Sequence, residues 1–62
     1  MTGYYYFGSI MVSVEKIGHS SVCKVSDAKR PEVPTLQVTT RLRNYKAADW
    51  AYQRYLKEME GI

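Results

Sequence analysis

Two side chains in this sequence of 62 residues are of the types that most often act as nucleophile, base or metal ligand, namely one histidine, His19, and one cysteine, Cys23. A structural zinc site needs four ligands, so one imidazole and one thiol fall short of it. A Cys–His nucleophile needs a shaped pocket, which a core of this size rarely encloses. We therefore expect no catalytic residue, no metal site and no cofactor, and we expect that the protein is not an enzyme.

The length and composition indicate one small domain, residues 1–62. A content of 45% hydrophobic and 24% charged residues is typical of a folded chain. A chain this short buries only about 60% of the surface that its unfolded form exposes, so its core must be small. A single cysteine forms no internal disulfide, which favours a cytoplasmic protein. The first apolar stretch is interrupted by Ser9, Ser13 and Glu15, so we expect neither a signal peptide nor a membrane span.

Three segments with aromatic, β-branched or alternating apolar residues are predicted to be strands, at about residues 4–15, 20–25 and 36–43. Gly8 and Ser9 predict a bend or bulge inside the first strand, with residues 4–7 as a separate arm. Gly18 predicts a tight hairpin turn before the second strand. Both prolines fall in the intervening segment, roughly 26–35, which we interpret as a loop.

The last quarter of the chain predicts a helix over about residues 45–60, with Asn44 as its N-cap. Steps of three and four place one apolar stripe on this helix. The stripe consists of Ala48, Ala51, Tyr52, Tyr55 and Met59, flanked by Tyr45 and Leu56. The predicted fold is therefore α+β, a three-stranded antiparallel β-meander packed against one C-terminal α-helix in the order β-β-β-α.

Trp50, the only tryptophan, falls outside that stripe. The helical spacing makes it a neighbour of three cations, Lys46, Arg54 and Lys57. An indole exposed among cations is suited to contact a partner protein. Alternatively, Trp50 lies under the aliphatic parts of its neighbours or completes the small core.

The aromatic N-terminal segment is the second candidate contact surface. Consecutive strand residues point to opposite faces, so Tyr4, Tyr5 and Phe7 cannot all be covered by one helix. We predict that these three residues contact a partner protein or form the seam of a homodimer. The alternative is that Tyr6 and one neighbour pack under the helix while the others form an outer ladder.

The polar face of the third predicted strand carries Gln37, Thr39, Arg41 and Arg43. Such a row could contact base edges or phosphates, and the net charge of +3 is compatible with that use. A solvated sheet face has the same composition in many proteins that bind no nucleic acid. The row therefore indicates a candidate DNA- or RNA-binding site without requiring one.

Together these patterns favour a small non-enzymatic binding module that recognises another protein and blocks or adapts it. Chains of this size without chemistry of their own are often encoded by phages or mobile elements as inhibitors of host factors. The alternative is a small basic regulator that binds DNA or RNA through the sheet face and the helix cations. A homodimer whose pairing is its main requirement is a third hypothesis.

Overall fold

The computed structural model describes residues 2–61, which form a four-stranded antiparallel sheet covered by one helix. The elements are β1 (Thr2–Phe7), β2 (Ile10–Ile17), β3 (Ser20–Asp27), β4 (Leu36–Thr40) and α1 (Asn44–Glu60), and the sheet order is β1-β2-β3-β4. The α+β class with a C-terminal helix is confirmed. The predicted number of strands was wrong, because the sheet has four strands and not three.

The additional strand arises at Gly8 and Ser9. Gly8 has φ +64°, a conformation that glycine adopts at little cost, and a two-residue turn joins Phe7 to its partner Ile10. The predicted strand at 4–15 is therefore a hairpin, and residues 4–7 belong to an edge strand of the sheet and not to a separate arm. Gly18, with φ +62°, closes the next hairpin as the sequence predicted.

Hydrogen bonds around Asp27 explain why β3 continues two residues beyond its predicted end. The Asp27 carboxylate accepts from the Ser9 hydroxyl at 2.8 Å and from the Lys29 backbone N–H at 2.9 Å. The Ala28 N–H donates to the Ser9 carbonyl at 3.0 Å. These bonds join the first hairpin turn to the end of β3 and hold the ladder together as far as Ile10 and Asp27.

The connection from β4 to α1 begins earlier than predicted, because β4 ends at Thr40 and not at residue 43. The Leu42 N–H donates to the Thr40 hydroxyl oxygen at 3.2 Å, and the buried Ser21 hydroxyl donates to the Leu42 carbonyl at 2.8 Å. The Leu42 backbone therefore forms hydrogen bonds with side-chain hydroxyls and not with the backbone of β3. As a result Leu42 leaves the apolar face of the sheet, where its parity had placed it.

The helix begins differently from the prediction at Asn44. Arg43 occupies the N-cap position in an extended conformation, without a side-chain cap hydrogen bond. Asn44 is the first helical residue and has φ +52°, in the left-handed region that asparagine tolerates better than most residues. Asn44 therefore turns the chain into the helix and does not cap it.

The core lies between the sheet and the helix. The sheet contributes Val12, Val14, Cys23 and Val25, and the helix contributes Ala47, Ala48, Ala51 and Tyr55. Three alanines allow the helix backbone to lie close to the valines of β2 and β3. The predicted stripe is confirmed at its centre, whereas Tyr52 and Met59 are half-buried and the flanking Tyr45 and Leu56 are exposed.

Over the described residues 2–61, no helix has both the length and the hydropathy that crossing a membrane requires.

Candidate protein-binding site on the helix

A shallow cavity of about 350 Å³ lies between the start of α1 and the segment that precedes it. Its lining consists of Leu42, Tyr45, Lys46, Asp49, Trp50 and Gln53. Leu42 is 41% exposed and Tyr45 is 59% exposed, so two large apolar groups face solvent beside the indole. We call this surface the Trp50 cavity. An exposed apolar depression with a polar rim is typical of a site that receives a side chain from a partner.

Trp50 combines features of both alternatives that the sequence left open. The indole is half-buried and packs against the core, and it also lines the cavity. The predicted neighbours Lys46 and Arg54 are present: Lys46 lines the same cavity, and the Arg54 guanidinium carbon lies 6.0 Å from the centroid of the Trp50 ring. Packing from beneath holds the indole in one orientation, which lowers the entropy lost when a partner covers it.

The Trp50 cavity and its surroundings carry charges of both signs, with cations before and after Trp50 along the helix. Lys46 and Asp49 both belong to its lining. Arg54 also lies 3.9 Å from the Glu58 carboxylate, as an i,i+4 pair with both side chains more than half exposed, so this pair contributes little to stability. Lys57, in the last helical turn, is exposed. An acidic partner segment would therefore find cations on both sides of the indole.

The aromatic residues of β1 separate between the two faces of the sheet. Tyr5 and Phe7 face the helix, whereas Tyr4 and Tyr6 are exposed on the opposite face. Phe7 stacks on Tyr52 with ring centroids 4.3 Å apart and an interplanar angle of 7°. This assignment is the reverse of the alternative that placed Tyr6 under the helix.

Tyr45 completes this aromatic cluster, which we define as Tyr5, Phe7, Tyr45 and Tyr52. The Tyr45 ring centroid lies 6.2 Å from that of Tyr5 and 6.1 Å from that of Phe7. Since Tyr45 also lines the Trp50 cavity, the cluster supports one wall of that cavity. Of the three β1 residues predicted to contact a partner, Tyr5 and Phe7 therefore have a packing role inside the molecule, and Tyr4 remains free on the outer face.

The four residues of the predicted nucleic-acid site lie in different places. Gln37 and Thr39 are exposed on the outer face of β4, opposite the helix. Arg41 follows the end of the strand. Arg43 lines another cavity, of about 410 Å³, together with Lys16 and Ser21 beside the start of the helix. The predicted row is therefore divided, because β4 ends before the two arginines.

The two chemistry-bearing side chains that the sequence singled out lie apart. Cys23 is fully buried in the core, its thiol donates to the Ala47 carbonyl at 3.7 Å, and burial raises its pKa. A buried thiol with a raised pKa is a poor nucleophile. His19 is exposed in the turn between β2 and β3. Among residues 2–61, no group of three or more His, Cys, Asp or Glu side chains is placed to hold a metal ion.

A third cavity contains a feature that the sequence did not reveal. Tyr55 is 3% exposed, and its hydroxyl has no hydrogen-bond partner within the described part of the chain. It lines a space of about 190 Å³ with Asp27, Arg30 and the apolar side chains of Ile10, Leu56 and Met59. The helical stripe predicted that Tyr55 is buried, but no sequence pattern indicates what its hydroxyl meets.

Sequence reasoning did not assign four members of the Trp50 cavity to a contact surface, namely Leu42, Tyr45, Asp49 and Gln53. Leu42 is the one whose predicted position was wrong. Its alternation with Leu36 and Val38 predicted an inward position on a longer third strand. The predicted start of the helix, only two residues after Leu42, was a signal that the strand ends earlier. A chain needs some residues to leave a sheet before it enters a helix.

Comparison of this chain with models of protein families, with curated proteins and with solved structures finds no match.

Proposed function

We propose that the protein is a non-enzymatic binding module that recognises another protein through the Trp50 cavity and, by covering that partner's surface, blocks or adapts it. The single observation that carries this proposal is the half-buried indole that packs on the core and lines a depression together with Leu42 and Tyr45. Tryptophan anchored from beneath and ringed by other groups is the arrangement found at the energetic centre of many interfaces.

The chemistry of the lining defines the partner segment. The indole, the leucine and the phenol ring of the Trp50 cavity favour an aromatic or large aliphatic side chain. Lys46 in the lining and Arg54 over the indole favour aspartate or glutamate next to that side chain, against one opposing charge in the lining, Asp49. The proposed ligand is therefore an acidic segment with one apolar anchor residue.

Binding of DNA or RNA through the sheet face and the helix cations is the competing proposal, with Gln37, Thr39, Arg41 and Arg43 as its sheet-face residues. It is the weaker of the two, because the outer-face pair and Arg43 lie in different parts of the molecule. Binding of a nucleic acid is recognised by its salt dependence. The logarithm of the association constant falls with the logarithm of the salt concentration, with a slope of about −0.9 per phosphate neutralised on duplex DNA.

The test is a selection of random displayed peptides on the immobilised chain, followed by affinity measurement by titration calorimetry. The proposal expects selected peptides with an aromatic or large aliphatic residue flanked by acidic residues. Lys46→Glu is expected to weaken them at least tenfold, because it reverses a charge beside the cavity.

Lys24→Glu is the matched control, since it makes the same charge reversal on the outer face of β3, away from the helix. It is expected to change the affinity less than twofold. Equal losses of affinity with both variants would show that only the net charge of the chain matters, and would contradict the proposal. Tight, steeply salt-dependent binding of nucleic acid without any selected peptide would favour the competing function.

A further inference from the structure

β1 is an edge strand without the features that usually protect such an edge. Its six residues, Thr2–Phe7, contain no charged residue and no proline, and its outer side pairs with nothing in the described chain. Edges of this kind are templates for pairing with another strand. The other edge, β4, is only five residues long, with Pro34 shortly before it and Arg41 directly after it.

Exposed aromatic side chains lie on both sides of this unprotected edge. Tyr4 is 59% exposed and Tyr6 is 70% exposed on the outer face, and Tyr45 is 59% exposed on the helix side, against Tyr5 and Phe7. Each tyrosine offers roughly 120–140 Å² at these exposures, which gives about 400 Å² of aromatic surface per copy. That area is about half of what each partner contributes to a standard interface.

We propose that β1 pairs antiparallel with β1 of a second copy of this chain, so that two four-stranded sheets join into one of eight strands. A two-fold axis perpendicular to the sheet keeps both helices on the same side, which requires that paired residues share a face. The register with the two-fold axis at Tyr5 pairs Tyr4 with Tyr6 and Gly3 with Phe7. It places tyrosine opposite tyrosine on the outer face, and aromatic cross-strand pairs of this kind stabilise a sheet.

Electrostatic repulsion between two copies is a cost that pairing at this edge must overcome. Two chains with a net charge of +3 repel each other over most of their surfaces. β1 itself has no charged side chain, which limits this repulsion, whereas Lys16 and Arg43 line a cavity together with Thr2, Gly3 and Tyr5. The aromatic area is small for a stable interface, and we therefore expect dissociation in the micromolar range.

This inference is independent of the proposed function, because the two surfaces have only Tyr45 in common. Sedimentation equilibrium of the full chain, from about 1 μM to about 1 mM, tests it first. The expected result is a concentration-dependent dimer. A chain that remains monomeric at the highest concentration would overturn the proposal, whatever the peptide selection shows.

Tyr6→Lys and Gln37→Lys then separate the edge from general repulsion. Both variants add one positive charge at an exposed outer-face position, the first on β1 and the second on β4. Tyr6→Lys is expected to raise the dimer Kd at least tenfold, and Gln37→Lys less than twofold. Equal effects, or a larger effect of Gln37→Lys, would place the interface elsewhere and refute the pairing of β1.

Disulfide trapping tests the register. Residues directly opposite each other have Cβ atoms about 5 Å apart and diagonal neighbours about 7–8 Å apart, beyond the usual reach of a disulfide. A mixture of Tyr4→Cys and Tyr6→Cys chains is therefore expected to cross-link faster than either variant alone, while the buried Cys23 stays unreacted. Faster cross-linking of Tyr4→Cys alone would contradict this register. No cross-linking in any sample would contradict the pairing itself.

Discussion

Replacing Phe7 by threonine is expected to destabilise the protein much more than the same replacement at its neighbour Tyr6. The structure places Phe7 on the helix side, stacked on Tyr52 at 4.3 Å, and leaves Tyr6 70% exposed on the other side. Threonine retains a high strand propensity, so both variants preserve the backbone preference of β1. The difference between them therefore measures the packing under the helix.

The magnitude follows from the burial of Phe7. Truncating a fully buried phenylalanine costs about 3–5 kcal/mol, and half-burial scales this to about 2 kcal/mol. Loss of the stacked pair with Tyr52 adds about 1 kcal/mol. A domain of this size has a free energy of unfolding of roughly 3–9 kcal/mol, so Phe7→Thr removes a large fraction of it. Tyr6→Thr is expected to cost under about 0.5 kcal/mol.

Urea unfolding followed by the fluorescence of Trp50, the only tryptophan, gives both values. Measurement at two protein concentrations separates any contribution from association. A difference between the two variants of less than about 0.5 kcal/mol would refute the assignment of Phe7 to the helix side. It would favour the free aromatic arm that the sequence suggested.

Three further outcomes are expected. Tyr55→Phe removes a buried hydroxyl that has no hydrogen-bond partner within residues 2–61. The free energy of unfolding of this variant should therefore be unchanged or higher by up to about 1 kcal/mol. A loss above that value would reveal a hydrogen bond that we have not described. Ser21→Ala removes the donor to the Leu42 carbonyl and should cost about 1–2 kcal/mol in urea unfolding, with weaker peptide binding because Leu42 forms part of the Trp50 cavity. The backbone N–H of Lys29 and the Ser9 hydroxyl hold the pKa of Asp27 below its ordinary value, so its contribution to stability is present above about pH 4 and is lost as the pH falls through the lowered pKa. Asp27→Asn keeps an acceptor oxygen and should reduce the loss of stability in acid; an unchanged pH profile of the melting temperature would contradict that role.

The sequence predicted the elements that depend on local periodicity. The helix and the core positions Ala48, Ala51 and Tyr55 followed from steps of three and four, and the hairpin at Gly18 followed from its turn residue. The fourth strand was missed because one glycine is compatible with both a bulge and a tight turn. Only the pairing of β1 with β2 along the whole strand decides between them.

The candidate site was predictable only in part. Helical spacing placed Lys46 and Arg54 beside Trp50 correctly, because i,i+4 neighbours follow from the helix alone. The burial of the indole and the presence of Leu42 and Tyr45 in the cavity lining are different. Both depend on where β4 ends and on how the chain turns into the helix. Those are tertiary features, and no local pattern in the sequence encodes them.

Amide chemical-shift mapping of the ¹⁵N-labelled chain with a selected acidic peptide tests the central claim most directly. We expect the largest changes at the Trp50 indole N–H and at the amides of Lys46 and Gln53, which line the cavity. Changes centred instead on Lys24 and Gln37, on the outer face of the sheet, would contradict the assignment of partner recognition to the helix.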